Sequence, residues 1–204
     1  MAWRLDSSIV YPLSDLFHIQ AGYPFRGAIQ EFSDGSVKVV QPKDISGLGE
    51  LSHDDFVSTE LPGKREPTWL KRGDILFIAK GPKQLACYVD RDLEQTTCAA
   101  SLFLMRIKPL WKDLVDPLFI TWLLNQVPSQ QYFQKSAEGS LHVSIRKPVL
   151  GATQIALPHI STQKIIARFY EASLKENALL YKLINNRQQQ LNAIATELMN
   201  SSEI

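Results

Sequence analysis

The chain has 204 residues, 45% hydrophobic and 21% charged, and its 22 basic and 21 acidic side chains leave a net charge of +1. That describes a globular chain with one real core and room for one appended element, and near-neutrality excludes indiscriminate polyanion binding, which scales with the phosphates neutralised. No window approaches the roughly eighteen uncharged apolar residues of a membrane span.

The N-terminal Met1-Ala-Trp-Arg-Leu-Asp is not followed by the apolar stretch of a secretory signal. The two cysteines, Cys87 and Cys98, lack metal-type spacing and read as reduced, buried thiols, so the expected location is the cytoplasm. Along the chain, Tyr11 to Ala21 predicts a short helical turn running into a strand that ends at Gly22. Val37 to Val40 is a β-branched strand, and Lys43 to Gly49 a polar loop. Ile75 to Ala79 is an unbroken apolar run, which predicts a strand buried on both faces. Gly81-Pro82 turns the chain and Leu85 to Val89 returns it as a hairpin. Thr97 to Ile107 reads as one long strand, with Leu102, Leu104 and Arg106 alternating with Phe103, Met105 and Ile107.

Asp116-Pro117 opens a helix, because aspartate suits the N-cap and proline the first turn. Phe119, Ile120, Leu123 and Leu124 form its apolar stripe and Pro128 interrupts it; residues 129–137 predict a second short helix before Gly139. Ala152 to Leu157 is a last strand, closed by Pro158. The fold class expected is α+β: a mixed, strand-rich domain with small helices over residues 1–160, then one long coiled-coil helix over 161–204.

That helix has neither glycine nor proline from Ser161 to Leu198, and Ser161 or Thr162 is a candidate cap. Leu180, Ile184, Arg187, Leu191, Ile194 and Leu198 follow the alternating four-and-three spacing of a coiled-coil seam, with Arg187 as its polar break. Backwards through Asn177, Ser173, Tyr170 and Ile166 the seam is less regular. Propensity alone leaves such a helix marginal. It needs a partner helix, which this chain does not supply.

Between Pro62 and Lys83 stand Lys64, Arg65, Lys71, Arg72, Lys80 and Lys83 against Glu66 and Asp74, a local excess of positive charge in a balanced chain. Two readings are open: lysines that discourage strand-to-strand aggregation, or a face for phosphates. There is no phosphate-cradling glycine loop, no G-x-S-x-G, no H-E-x-x-H and no N-P-P-Y. His18, His53, His142 and His159 stand far apart, each read as structural or exposed. The sequence reads as a binder without a cofactor or metal.

Several ordered stretches carry a resemblance. They are Leu13-Ser-Asp-Leu16, Ile19-Gln-Ala-Gly22-Tyr-Pro-Phe25, Val37-Lys-Val-Val-Gln-Pro-Lys-Asp-Ile45, and Leu70-Lys-Arg-Gly-Asp-Ile-Leu76 with Gly81. Further on come Pro117-Leu-Phe-Ile-Thr-Trp-Leu-Leu124, Gly139-Ser with Ser144-Ile145, and Ile155-Ala-Leu-Pro158 with Gln163-Lys-Ile-Ile166. Together they resemble one target recognition domain plus one conserved helix of a type I restriction–modification specificity subunit. The run from Ile155 to Gln163 departs from the usual proline-rich boundary, and Lys80-Gly-Pro-Lys83 from the usual small-residue run. A typical subunit also carries two such domains and two helices, so the resemblance is to half of one.

The resemblance implies a non-catalytic reader of double-stranded DNA that directs methyltransferase subunits and, through them, the restriction subunit. It implies DNA-binding roles for Arg26, Lys43, Lys80, Lys83, Gln84, Arg146 and Lys147, with Tyr23, Lys71 and Arg72 inside the matched stretches, and base reading by Gln41, Lys43 and Gln84. Two copies would pair their helices through Ile166, Tyr170, Leu180, Ile184, Leu191, Ile194 and Leu198 as an antiparallel homodimer. The competing readings are a protein–protein adaptor working through the coiled coil without reading DNA, and a nuclease built on Asp54, Asp55 and Glu60.

Overall fold

The computed structural model describes residues 9–53, 55–63, 65–137 and 144–200. In chain order these form β1 (Ile9–Pro12), α1 (Leu13–Leu16), β2 (Phe17–Ala21), β3 (Val37–Val40), β4 (Val57–Thr59), β5 (Ile75–Ile78), β6 (Ala86–Tyr88), β7 (Thr96–Cys98) and β8 (Leu102–Ile107). Then follow α2 (Pro117–Leu124), α3 (Val127–Ser136), α4 (Lys147–Gly151), β9 (Gln154–Leu157) and α5 (Ile160–Asn200). The fold is α+β, as expected. Lys64, Asp54, Gly139, Ser140 and His142, singled out above, lie outside the described residues.

Two strands without a wet face organise the first unit, residues 1–167. β5 and β8 pair antiparallel from Ile75↔Met105 to Ile78↔Leu102. Side chains alternate across a sheet, so Ile75 and Phe77 join Phe103 and Met105 in one core, while Leu76 and Ile78 join Leu102 and Leu104 in another. β2 and β6 complete an antiparallel sheet in the order β2-β8-β5-β6. The helices close the first core with Leu16, Ile120 and Leu150, and the Phe133 ring meets Phe77 edge-on, centroids 5.0 Å apart. A second sheet, β4-β3-β7, delivers Val40 and Cys98 to the other core. β1 and β9 pair apart from both sheets. Full burial of each large apolar side chain contributes roughly 1.5–3 kcal/mol, which is why β5 tolerates no polar residue. Cys87 and Cys98 are free and buried, and burial pushes the Cys98 thiol up to about 12.

One expected strand is two. Thr97 to Ile107 divides at Ala99, where the chain leaves the second sheet, turns with the Leu102 N–H donating to the Ala99 carbonyl (2.9 Å), and enters the first. Side-chain alternation does not register such a change of sheet. Gly22 crosses this turn so closely that a Cβ would lie 2.3 Å from the Ala99 and Cys98 carbonyl oxygens, so no larger residue fits there.

Asp116 caps α2 as expected, its Oδ1 accepting from Leu118 (2.9 Å) and Phe119 (3.1 Å). Pro128 sits in the first turn of α3 rather than breaking a helix. α5 starts at Ile160, and His159 precedes it, its Nδ1 2.8 Å from the Ser161 hydroxyl, so neither Ser161 nor Thr162 is the cap. Gln163, 1% exposed, accepts from the Asp116 N–H and donates to the Leu114 and Pro158 carbonyls, anchoring the first turn of α5.

The second unit is the rest of that helix, from Arg168. Leu180, Ile184, Leu191, Ile194 and Leu198 are all at least half exposed. At 1.5 Å per residue α5 is about 60 Å long. Among the described residues no helix is long and apolar enough to cross a membrane.

The buried polar centre of the first unit is Asp74. Its oxygens accept from Arg106 Nε (2.7 Å) and Nη2 (2.6 Å), and Arg106 also donates to the Trp69 carbonyl (2.9 Å). Removing one partner of such a pair strands a charge. Arg106→Ala should lower stability in urea unfolding by about 2–3 kcal/mol, short of the value for a fully buried pair because Arg106 keeps some solvent. Asp74→Asn added to it should restore part of the loss. A loss below about 0.5 kcal/mol would reduce the pair to a surface contact.

Candidate nucleic-acid interface

The cations that flank β5 sit at its two ends. At the start, Lys71-Arg72-Gly73-Asp74 makes a tight turn with Gly73 at φ +93°, a left-handed conformation that favours glycine. The Asp74 carboxylate accepts the Lys71 N–H (2.9 Å), and the Arg72 N–H goes to Asp92 (3.0 Å). Both long side chains remain exposed. Burial raises the neighbouring Tyr88 hydroxyl, with a hydrogen bond and charge from Arg72 opposing it.

At the other end, three connections converge on the turn from Cys98 to Leu102. The Lys80 and Ala79 N–H groups donate to the Ser101 carbonyl (3.2 and 2.9 Å), the Ala99 N–H to Val40 (2.9 Å), and the Tyr23 N–H to Cys98 (2.7 Å). Lys80 also bridges Ser144, and the Ile145 N–H donates to Ala79 (2.9 Å). The backbone therefore leads Arg26, the Gln41–Lys43 turn, Lys80 with Lys83, and Arg146 with Lys147 away from one hub. Arg26, Lys43, Lys80, Lys83, Arg146 and Lys147 are exposed and Gln41 is half-buried. Lys71 and Arg72 belong to the far end of β5, so the sequence cluster is divided in space.

Two residues expected to bind DNA, one of them as a base reader, are occupied internally. Tyr23 is 5% exposed, packs on Phe25 with centroids 5.2 Å apart, and its hydroxyl donates to the Gly63 carbonyl (3.4 Å). Gln84, also 5% exposed, donates from Nε2 to the Gly81 carbonyl (2.8 Å), while its own carbonyl accepts from Gln130 (2.8 Å). Gln84 thus staples the turn that displays Lys80 and Lys83. What sequence reasoning missed is the hub; its signal is the run of small residues Ala99-Ala100-Ser101 inside an apolar alternation.

The nuclease reading loses its third carboxylate, since Glu60 holds the Ser36 N–H (2.9 Å) and hydroxyl (3.0 Å). Among the described residues no three His, Cys, Asp or Glu side chains are grouped to hold a metal.

The family model for the type I restriction modification DNA specificity domain matches residues 7–192, nearly the whole chain. The chain belongs to that family. It is 24% identical over 197 residues to the type I restriction enzyme MjaVIII specificity subunit of Methanocaldococcus jannaschii, covering 94% of this chain and 44% of that one. Its fold is similar to the S subunit of a type I restriction-modification system from M. genitalium, with a TM-score of 0.56, 16% identity, and 83% of this chain matched to 40% of that one. It is also similar to a chain from a structure on the complex assembly and conformational transition of the type I R-M system, with a TM-score of 0.60, 16% identity, and 95% matched to 45%. The chain spans less than half the length of each relative.

Beside Gln41 and Lys43, the buried Asp44 accepts the Gln41 N–H at 2.8 Å. Burial raises its carboxyl above the ordinary 3.8, with the Gln41 N–H and the Lys43 charge opposing the shift. A raised folded-state pKa contributes stability that is present below about pH 4 and lost as pH rises through that pKa. In Asp44→Asn the amide oxygen still accepts from Gln41 but nothing titrates. The melting temperature of the variant relative to the unsubstituted protein should therefore climb from about pH 4 to about pH 7. A flat or falling difference would mean that the carboxylate is the favoured form.

Proposed function

We propose that this chain is the reader in a type I restriction–modification assembly. It does no chemistry itself: it grips double-stranded DNA, reads a short half-site, and directs methyltransferase subunits and, through them, the restriction subunit. The observation that carries the reading is the family match over residues 7–192. Supporting it are the exposed cations whose segments radiate from the Cys98–Leu102 turn. Lys80, Lys83 and Arg146 hold phosphates and set the register, while Gln41 and Lys43 stand nearest to base edges.

The test of DNA binding is its salt dependence, with and without the methyltransferase subunit. Lys80→Ala with Lys83→Ala should weaken duplex binding and flatten the slope of log affinity against log salt by about one to two units. An unchanged slope in the folded double variant removes this turn from the interface. A protein–protein adaptor would show no steep salt-sensitive affinity at all.

The proposal extends to assembly. Two copies pair their helices antiparallel, so that the recognition domain preceding each helix lies at an opposite end of the pair. Burying Leu180, Ile184, Leu191, Ile194 and Leu198 contributes roughly 1.5–3 kcal/mol each, and removes a stripe that monomers rarely expose. Arg187, in mid-seam, then meets Gln188 or Gln190 or reaches water. Light scattering should give twice the 23.1 kDa chain mass, falling to the single mass in Leu191→Asp. A single mass for the unsubstituted protein at tens of micromolar would mean that the stripe is covered by another subunit.

A further inference from the structure

The two edges of the four-stranded sheet are finished differently. The Gly22 N–H donates to Leu102 (3.0 Å) and the Lys108 N–H to Leu16 (2.9 Å). In an antiparallel ladder alternate residues bond to the same neighbour. The even residues of β2 thus face β8, and Phe17, Ile19 and Ala21 turn their backbone groups outward. Phe17 gives its N–H to Leu13. Among the described residues the N–H groups of Ile19 and Ala21 meet no acceptor. On the opposite edge β6 is closed by a side chain: Asn125 accepts from the Ala86 N–H and donates to the Ala86 carbonyl, both at 2.8 Å.

An open groove of about 840 Å³ runs beside β2, past Phe17, His18, Ile19 and Gln20, with Lys108 and Lys147 on its other walls. Among the described residues no aspartate or glutamate lines it. We infer that this edge accepts an extended, acidic segment of a partner protein as an added strand. An added strand supplies acceptors and donors in the alternation that Ile19 and Ala21 present, and its carboxylates suit the two lysines. A phosphate backbone would satisfy the lysines but would face the outward carbonyl of Ile19 with another acceptor. A second copy of this edge would set like charges against each other. The inference goes beyond duplex recognition and does not rest on it.

The probe is a capped octapeptide alternating valine and glutamate, set against its valine–lysine counterpart and a DNA duplex, on the full chain. The acidic peptide should slow amide exchange at Ile19 and Ala21 by about tenfold or more, leaving His18 and Gln20, already in the ladder, unchanged. Lys108→Glu with Lys147→Glu should weaken it by about tenfold or more and favour the basic peptide instead. Ala21→Pro removes one outward donor without touching the ladder, so it should weaken binding with the melting temperature kept. Absence of protection at millimolar peptide overturns the inference. So does protection by the duplex and not the peptide, or equal binding of both peptides.

Discussion

One buried carboxylate, Asp74, ties the first unit together. Asp74 sits at the start of β5, where a lone charge would be costly, and the structure answers with a two-pronged Arg106 and the Lys71 N–H. Arg106 also takes the Trp69 carbonyl, the Leu70 N–H donates to Thr96, and the Thr97 hydroxyl donates to Thr68. The stretch from Thr68 to Leu70 is thereby fastened to both sheets, β8 on one side and β7 on the other. The cation that answers Asp74 is thus Arg106 on β8, outside the cluster that the sequence gathers around β5, and Lys71 contributes only its backbone N–H.

With most strand side chains committed to apolar clusters, the exposed cations proposed to meet DNA stand at the strand ends. This is an economical arrangement of forces. The hub from Cys98 to Leu102 contributes mainly backbone groups, and backbone hydrogen bonds hold position whatever side chains the emerging turns carry. Gln84 shows the same logic at a smaller scale, spending a polar side chain on the shape of the Lys80–Lys83 turn.

Local signals were legible in the sequence and distant ones were not. The Ile75 run, the β-branched Val37 run, the Asp116 cap and the long helix each announce themselves within a few residues. The division of residues 97–107 between two sheets did not, because its turn contains neither glycine nor proline. β1 and β4 are too short to show a period, and α4 hides behind a Lys147-Pro148 that reads as loop. The exposed cations were legible as residues but not as a site: Lys71 and Lys80 are close in sequence and at opposite ends of a strand. The burial of Tyr23 and Gln84 was not legible, because residue type does not reveal burial. A tyrosine that packs and a glutamine that staples a turn look the same on the page as two that read DNA.

The two units differ in how their stability is supplied. Residues 9–167 contain their own cores, whereas no described residue from Arg168 to Asn200 is buried. A helix with nothing to pack on is only as stable as its propensity, so under the proposed pairing the second unit gains its packing at the moment of association. Under the proposed pairing this couples assembly to reading. A half-site reader with few phosphate contacts binds weakly and reversibly at physiological salt. Joining two of them makes the second contact intramolecular and multiplies affinity without a new DNA contact. If both readers are the same chain related by a two-fold axis, as proposed, the half-sites they favour are the same sequence in inverted orientation, separated by a distance the paired helices set.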